Sequence, residues 1–197
     1  YKENLNIQLV RCQDTNFLTI NPKVLKELEG LLLENPLNIK LYIETRPEGI
    51  NEKSVELLKN LDVDGVGMGI ELAGEEFREN ELNRFADQDK IINAFKLLKE
   101  NNINRTSYNI IGLPNQSESS IISTINFNKL LNPDNITVAF YSPYLGTSEQ
   151  KKSTRLDYFK DYENNVDGQL RSLSSGKNLS ISKLNYYKEN FVNLVRN

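Results

Sequence analysis

The sequence predicts an α/β fold: a partial, TIM-like (β/α) barrel of parallel strands, followed by a C-terminal helical extension. Three observations lead there. Short apolar runs alternate with amphipathic runs of helical spacing from residue 5 to about 141, and strand–helix repetition with short loops implies βαβ units. Three of the strand-like runs stop abruptly at residues suited to touching a ligand: GVGMGIEL at 65–72, YNIIGLP at 108–114 and AFYSPYLGT at 139–147. Strands that end on one barrel rim behave this way. Finally, the chain has 197 residues, short of the roughly 250 of a closed eight-unit barrel.

Residues 5–12 alternate as a strand and lead into the loop Asp14–Phe17. Asn21-Pro22 supplies an N-cap and a first-turn proline, and Val24, Leu25, Leu28, Leu31 and Leu32 keep helical spacing until Pro36. A strand over 38–44 ends in Glu44-Thr45-Arg46-Pro47, and Asn51 caps a helix carrying Val55, Leu57, Leu58 and Leu61. The third strand covers 64–71, and the charged stretch 73–86 is helical in part. Asp87 caps a helix that turns Ile91, Ile92, Phe95 and Leu98 inward. Strand 105–111 follows, then a helix opened by Ser117 with Ile121, Ile122, Ile125, Leu130 and Leu131, closed by Pro133, and a strand over 135–141. Right-handed crossovers would set the C-terminal ends of these strands on one rim. Residues 148–179 are polar and irregular, and 182–195 form a helix with Leu184, Tyr187, Phe191, Leu194 and Val195 on one face. The expected division is a barrel segment over 1–147 and an extension over 148–197.

Composition narrows the function classes. The net charge is −3 with no basic stripe, which argues against a nucleic-acid partner. No apolar run is long enough to span a membrane. There is no histidine and one cysteine, so no internal disulfide forms, and a cytoplasmic protein is the default expectation. The chain begins at Tyr1 and enters apolar alternation almost at once, which reads as a start inside a domain.

The rim residues carry the chemistry. Glu44 and Glu71 close successive strands, and Arg84 follows downstream. Gly112 admits close approach to the backbone. Tyr141, Pro143 and Tyr144 offer flat apolar surface, and Gly146 permits a tight turn. Such a set suits a ligand with an ammonium, hydroxyls, a carboxylate and a planar base, since carboxylates accept and a guanidinium pairs bidentately with a carboxylate. The plainer alternative is a solvated or salt-bridged rim. Gly65, Gly67 and Gly69 lie inside a strand rather than opening a helix, so they mark close packing and not a dinucleotide loop.

The ordered set Asp14–Phe17, Glu44–Pro47, Gly69-Ile70-Glu71, Ile110–Pro114 and Tyr141–Thr147 resembles the radical S-adenosylmethionine superfamily over residues 5–147. The resemblance implies a partial barrel of that family's type. Glu44 would bind the methionine ammonium, Glu71 the ribose hydroxyls and Arg84 the carboxylate. The backbones of Ile111-Gly112 and of Tyr141–Tyr144 would line the adenine. It further implies a four-iron four-sulfur cluster, reductive cleavage of S-adenosylmethionine to a 5′-deoxyadenosyl radical, a flavodoxin or ferredoxin as electron donor, and a small-molecule or lipid substrate. The tail, around Gly168 to Arg196, resembles members with an N-terminal cobalamin-binding domain, for which methyl transfer is the implied outcome.

Three departures stand out. The family's CxxxCxxC cluster loop is absent, and Cys12 cannot replace three thiolates. The expectation is that the first strand and its loop lie upstream, so that this stretch alone is inactive. Leu72 stands where a small polar residue is common, and Asn115-Gln116 replaces a usual Gly-Glu pair. Two rival readings remain at this stage: a hydrolase using Glu44 and Glu71 as a carboxylate pair, and a non-catalytic homologue without a cluster.

Overall fold

A computed structural model of the chain describes residues 6–141, Gly146, Lys151 and 179–197. The elements run β1 (Leu9–Arg11), α1 (Pro22–Glu34), β2 (Lys40–Thr45), α2 (Glu52–Asn60), β3 (Val63–Glu71), α3 (Glu75–Leu82), α4 (Gln88–Glu100), β4 (Asn104–Ile111), α5 (Glu118–Leu131), β5 (Asn135–Phe140) and α6 (Ile181–Arg196). Short 3-10 turns occupy Phe17–Thr19 and Pro47–Gly49. The strands form one sheet in the order β1-β2-β3-β4-β5. Pairing is parallel from β1 to β2 and from β2 to β3. Along β4 and β5, Asp134 N donates to Arg105 O at one end and Tyr141 N to Ile111 O at the other, so these strands also run the same way. This is the expected partial (β/α) barrel of five parallel strands.

Local signals set the helix boundaries. The Asn21 side chain accepts from Lys23 N and that of Asp87 from Lys90 N. Asn51 and Ser54 form a reciprocal capping box. Ser117 Oγ and Ser180 Oγ accept from the backbones of Ser120 and Lys183. Each such cap satisfies an amide that the first helical turn leaves unpaired. At the other ends, α2, α3, α4 and α5 are followed by Asp62, Asn83, Asn102 and Asn132, all with φ between 46° and 58°. Asn and Asp tolerate this left-handed region best among non-glycine residues, so the abundance of Asn has a structural use.

One expectation is corrected. The first strand is Leu9–Arg11 and not 5–12 among the described residues, because Asn6 turns to φ 48°. The ladder nevertheless extends one bond beyond each end, with Lys40 N on Gln8 O and Cys12 N on Tyr42 O. In α1 only Leu25 is buried, whereas Val24 and Leu31 are more than half exposed. Leu130 of α5 is 65% exposed.

The chain divides into two compact units. The first comprises residues 1–70, 84–107 and 130–136, and the second 71–83, 108–129 and 137–197. In the first, Ile43, Val66, Met68 and Ile70 of the strands are fully buried, with Val55 and Leu58 of α2 and Ile91, Phe95 and Leu98 of α4. Gly65 is a packing requirement there: an added Cβ would lie 2.9 Å from Tyr42 Cδ2. In the second unit, Ile111, Leu113 and Val138 are buried together with Ile121 and Ile125 of α5 and Leu184, Tyr187, Phe191 and Val195 of α6. The face expected of α6 is thus its buried face, with Leu194 half-buried.

Candidate functional site

In the first unit, the end of β2 brings Glu44, Thr45 and Arg46 to a loop rich in polar partners. Glu44 pairs in register with Gly67 and forms an ion pair with Arg11 at the end of β1. The Arg11 guanidinium also lies 5.2 Å from the Tyr42 ring centroid, a cation–π distance. Thr45 is buried and its hydroxyl donates to Asn16 Oδ1 at 2.8 Å. The Arg46 amide approaches the same oxygen at 3.4 Å. Asn16 therefore ties the loop after β1 to the end of β2, while Phe17 next to it is buried. Arg84 follows the left-handed Asn83 that ends α3 and is half-buried.

In the second unit, Glu71 closes β3 with a side chain that is mostly buried and a φ of 62°. A non-glycine residue held in this region costs on the order of 1–3 kcal/mol and persists only where its surroundings over-determine it. Leu72 O, one residue on, accepts from Arg78 Nη1 at 2.7 Å, and Ala73 N donates to Thr124 Oγ1 at 3.1 Å. Ile111 ends β4, fully buried. Its carbonyl accepts from Tyr141 N at 2.8 Å, which brings two of the expected ligand-lining residues together. Gly112 has φ 83°. An added Cβ would meet Leu184 of α6 at 3.6 Å, an ordinary contact, so the backbone conformation and not crowding demands glycine there. Tyr144 lies outside the described residues.

Gln116 turns out to organise the turn after β4. Its Oε1 accepts from Gly112 N at 2.7 Å and Leu113 N at 3.3 Å, and the side chain is buried. The sequence reading registered it only as a departure from a Gly-Glu pair. Thr124 and Asn128 were missed, although the signal was available. They fall on the spacing of Ile121, Ile125 and Leu131, so helical periodicity turns them inward, and both are fully buried. Asn128 Nδ2 donates to Asn109 Oδ1 at 2.7 Å and to Thr124 O at 2.9 Å.

A second ion-pair group fastens α6. Glu118 at the start of α5 accepts from Lys183 and from Tyr187 Oη. These two hydrogen bonds hold the Glu118 carboxyl below its usual range. Burial and the bond to Glu118 push the Tyr187 hydroxyl up to about 12.

Residues 14–127 match the family model described as the Radical SAM superfamily, which is more than half of the chain. The chain belongs to the radical SAM superfamily. Over 77 residues it is 42% identical to the uncharacterized protein MJ0550 of Methanocaldococcus jannaschii, covering 38% of this chain and 21% of that protein. Its fold is similar to that of coproporphyrinogen III oxidase, HemN, of Escherichia coli, described as a radical SAM enzyme, with a TM-score of 0.68 and 21% identity over 96% of this chain and 40% of that one. It is also similar to the radical S-adenosylmethionine methyltransferase TsrM of Kitasatospora setae, solved with cobalamin and an iron–sulfur cluster, with a TM-score of 0.61 and 16% identity over 71% of this chain and 28% of that one. The chain thus spans from about a fifth to two fifths of the length of these relatives.

Membership of the radical SAM superfamily implies a four-iron four-sulfur cluster as well as S-adenosylmethionine. The chain's own residues do not fit the cluster. Cys12 is the sole cysteine, and burial, with Asp14 nearby, raises its thiol pKa, which disfavours the thiolate such a cluster binds. Among the described residues no group of three or more His, Cys, Asp and Glu side chains is arranged to hold a metal. Nor is any described helix long and apolar enough to cross a membrane.

Proposed function

We propose that this chain supplies the S-adenosylmethionine-binding part of a radical SAM catalytic domain. The observation that carries the reading is Glu71, a carboxylate at a parallel strand's C-terminal end, inside the matched segment and held in a left-handed conformation. Glu71 accepts from the ribose hydroxyls. Glu44 accepts from the methionine ammonium in place of Arg11, and Arg84 pairs with the carboxylate. The backbones of Ile111, Gly112 and Tyr141 line the adenine.

Reductive cleavage to a 5′-deoxyadenosyl radical is chemistry that an iron–sulfur cluster supplies, and residues outside this chain would have to hold it. What these residues do is bind the cofactor and fix its orientation. The likeness to TsrM supports a cobalamin-binding domain elsewhere in the intact protein and methyl transfer to a small-molecule or lipid substrate, with a flavodoxin or ferredoxin as electron donor.

Calorimetric titration of the intact protein with S-adenosylmethionine tests the reading. Glu71→Ala should weaken binding by about a hundredfold, the scale of a lost charge-assisted hydrogen-bond pair. Unchanged affinity would sink the assignment. Anaerobic reconstitution of the intact protein with iron and sulfide should give a cluster absorption band; its absence would favour a homologue that binds ligand without catalysing radical chemistry.

A further inference from the structure

We propose that Thr124 and Arg78 are positioning residues for Glu71, which hold its carboxylate at the angle where it receives ligand hydroxyls; the proposal rests on the reading of Glu71 given above. The peptide group between Leu72 and Ala73 is planar, so its oxygen and its hydrogen point in opposite directions. Arg78 Nη1 donates to that oxygen at 2.7 Å, and Thr124 Oγ1 accepts from that N–H at 3.1 Å. A plane pinned on both edges cannot rotate about the soft torsions on either side of it. The residue directly before it is Leu72, fully buried, and Glu71, with φ 62°, precedes Leu72; a non-glycine residue in that region persists where its surroundings over-determine it.

The pins are themselves fixed. Thr124 is fully buried and Arg78 is 2% exposed. The Thr124 hydroxyl donates to Ser120 O at 2.8 Å, which commits its hydrogen and leaves a lone pair for Ala73. Asn128, one turn further along α5, bridges Thr124 O to the Asn109 side chain on β4. The orientation of the Leu72–Ala73 peptide, one residue beyond Glu71, is therefore referred back to α5 and the sheet. A plainer account holds that these bonds only satisfy a buried peptide group. The two accounts differ in one respect: positioning acts through the Glu71 carboxylate, and mere satisfaction does not.

A double-mutant cycle on the intact protein separates them, with S-adenosylhomocysteine as the titrant so that binding is read without turnover. Thr124→Val keeps the shape and removes the hydroxyl. It should weaken binding about tenfold, in the range of couplings between contacting residues, while Thr124→Ser stays within about twofold of wild type. On a Glu71→Gln background, Thr124→Val should add nothing further. Amide hydrogen exchange in the segment 71–83 should rise in Thr124→Val, and Arg78→Met should repeat the pattern if Thr124→Val fails to fold. Additive losses on the Glu71→Gln background overturn the proposal. So does unchanged affinity in Thr124→Val where Glu71→Gln alone weakens binding. If Glu71→Gln itself leaves affinity unchanged, the fault lies in the reading of Glu71 as a ligand residue, and both fall.

Discussion

Two arginine–carboxylate pairs among the described residues of the first unit have surroundings that make them opposites. Arg105 on β4 meets Asp134 just before β5, and its side chain is 5% exposed. Nε and Nη2 each reach one carboxylate oxygen, at 2.9 and 3.0 Å, and the Arg105 backbone N–H adds a third bond at 2.8 Å. Arg11 and Glu44, at the ends of β1 and β2, are 53% and 30% exposed. The first pair is a two-pronged lock on a buried guanidinium, with a 39% exposed carboxylate, at the N-terminal start of its strands. The second is an exposed contact at the C-terminal end, where barrels of this type place their ligands. One arrangement resists exchange and the other invites it, because a surface ion pair is worth only about 0.2–1 kcal/mol.

The largest effect should come from breaking the lock. Asp134→Ala leaves a buried guanidinium without its counter-ion, a change that destabilises by about 3 kcal/mol. Chemical denaturation of the intact protein, followed by hydrogen exchange in β4 and β5, should show it. A loss no larger than that of Arg11→Ala would erase the distinction between the pairs.

Acid should expose the same lock more gently. Burial pushes the Asp134 carboxyl up, but its hydrogen bonds to Arg105 outweigh burial and hold it below the usual carboxylate range. A group whose folded pKa is depressed contributes stability that is fully present above its unfolded value, about 3.9, and lost as pH falls through the folded value. The stability gap between wild type and Asp134→Asn should therefore be constant from neutral pH to about 5 and close below about 4. A gap that does not begin to narrow as pH falls below about 4 would show that the charge on Asp134 is not what holds Arg105.

The lock also marks the limit of what could be read from the sequence. The strand–helix order, the caps at Asn21, Asn51 and Asp87 and the buried stripe of α6 were legible, because each rests on neighbours in sequence or on one helical period. Arg105–Asp134 was not, since nothing local says that a charged residue at a strand's first turn is buried. The same holds for Asn16, whose partners Thr45 and Arg46 lie about thirty residues away. Glu44 and Glu71 could be picked out as strand-end carboxylates, but their opposite circumstances could not. Glu71 precedes the Leu72–Ala73 peptide that Arg78 and Thr124 hold, and Thr124 comes from a helix 51 residues beyond Ala73. Thr124 and Asn128 lay on an inward stripe and were passed over because polar residues on such a stripe read as exceptions to it.

The smallest expected effect is also the most informative about Glu44. If the ligand ammonium takes the place of Arg11, removing Arg11 removes a competitor. Arg11→Ala should then change stability by less than about 1 kcal/mol, while S-adenosylmethionine binds about two- to fivefold more tightly, the affinity equivalent of a surface ion pair no longer displaced. The gain should vanish at high salt, since the competing pair is exposed and already screened there. Weaker binding in Arg11→Ala would reverse the roles: Arg11 would itself hold an anionic group of the ligand, and its pairing with Glu44 would be the resting position of a residue that turns to the ligand when it arrives.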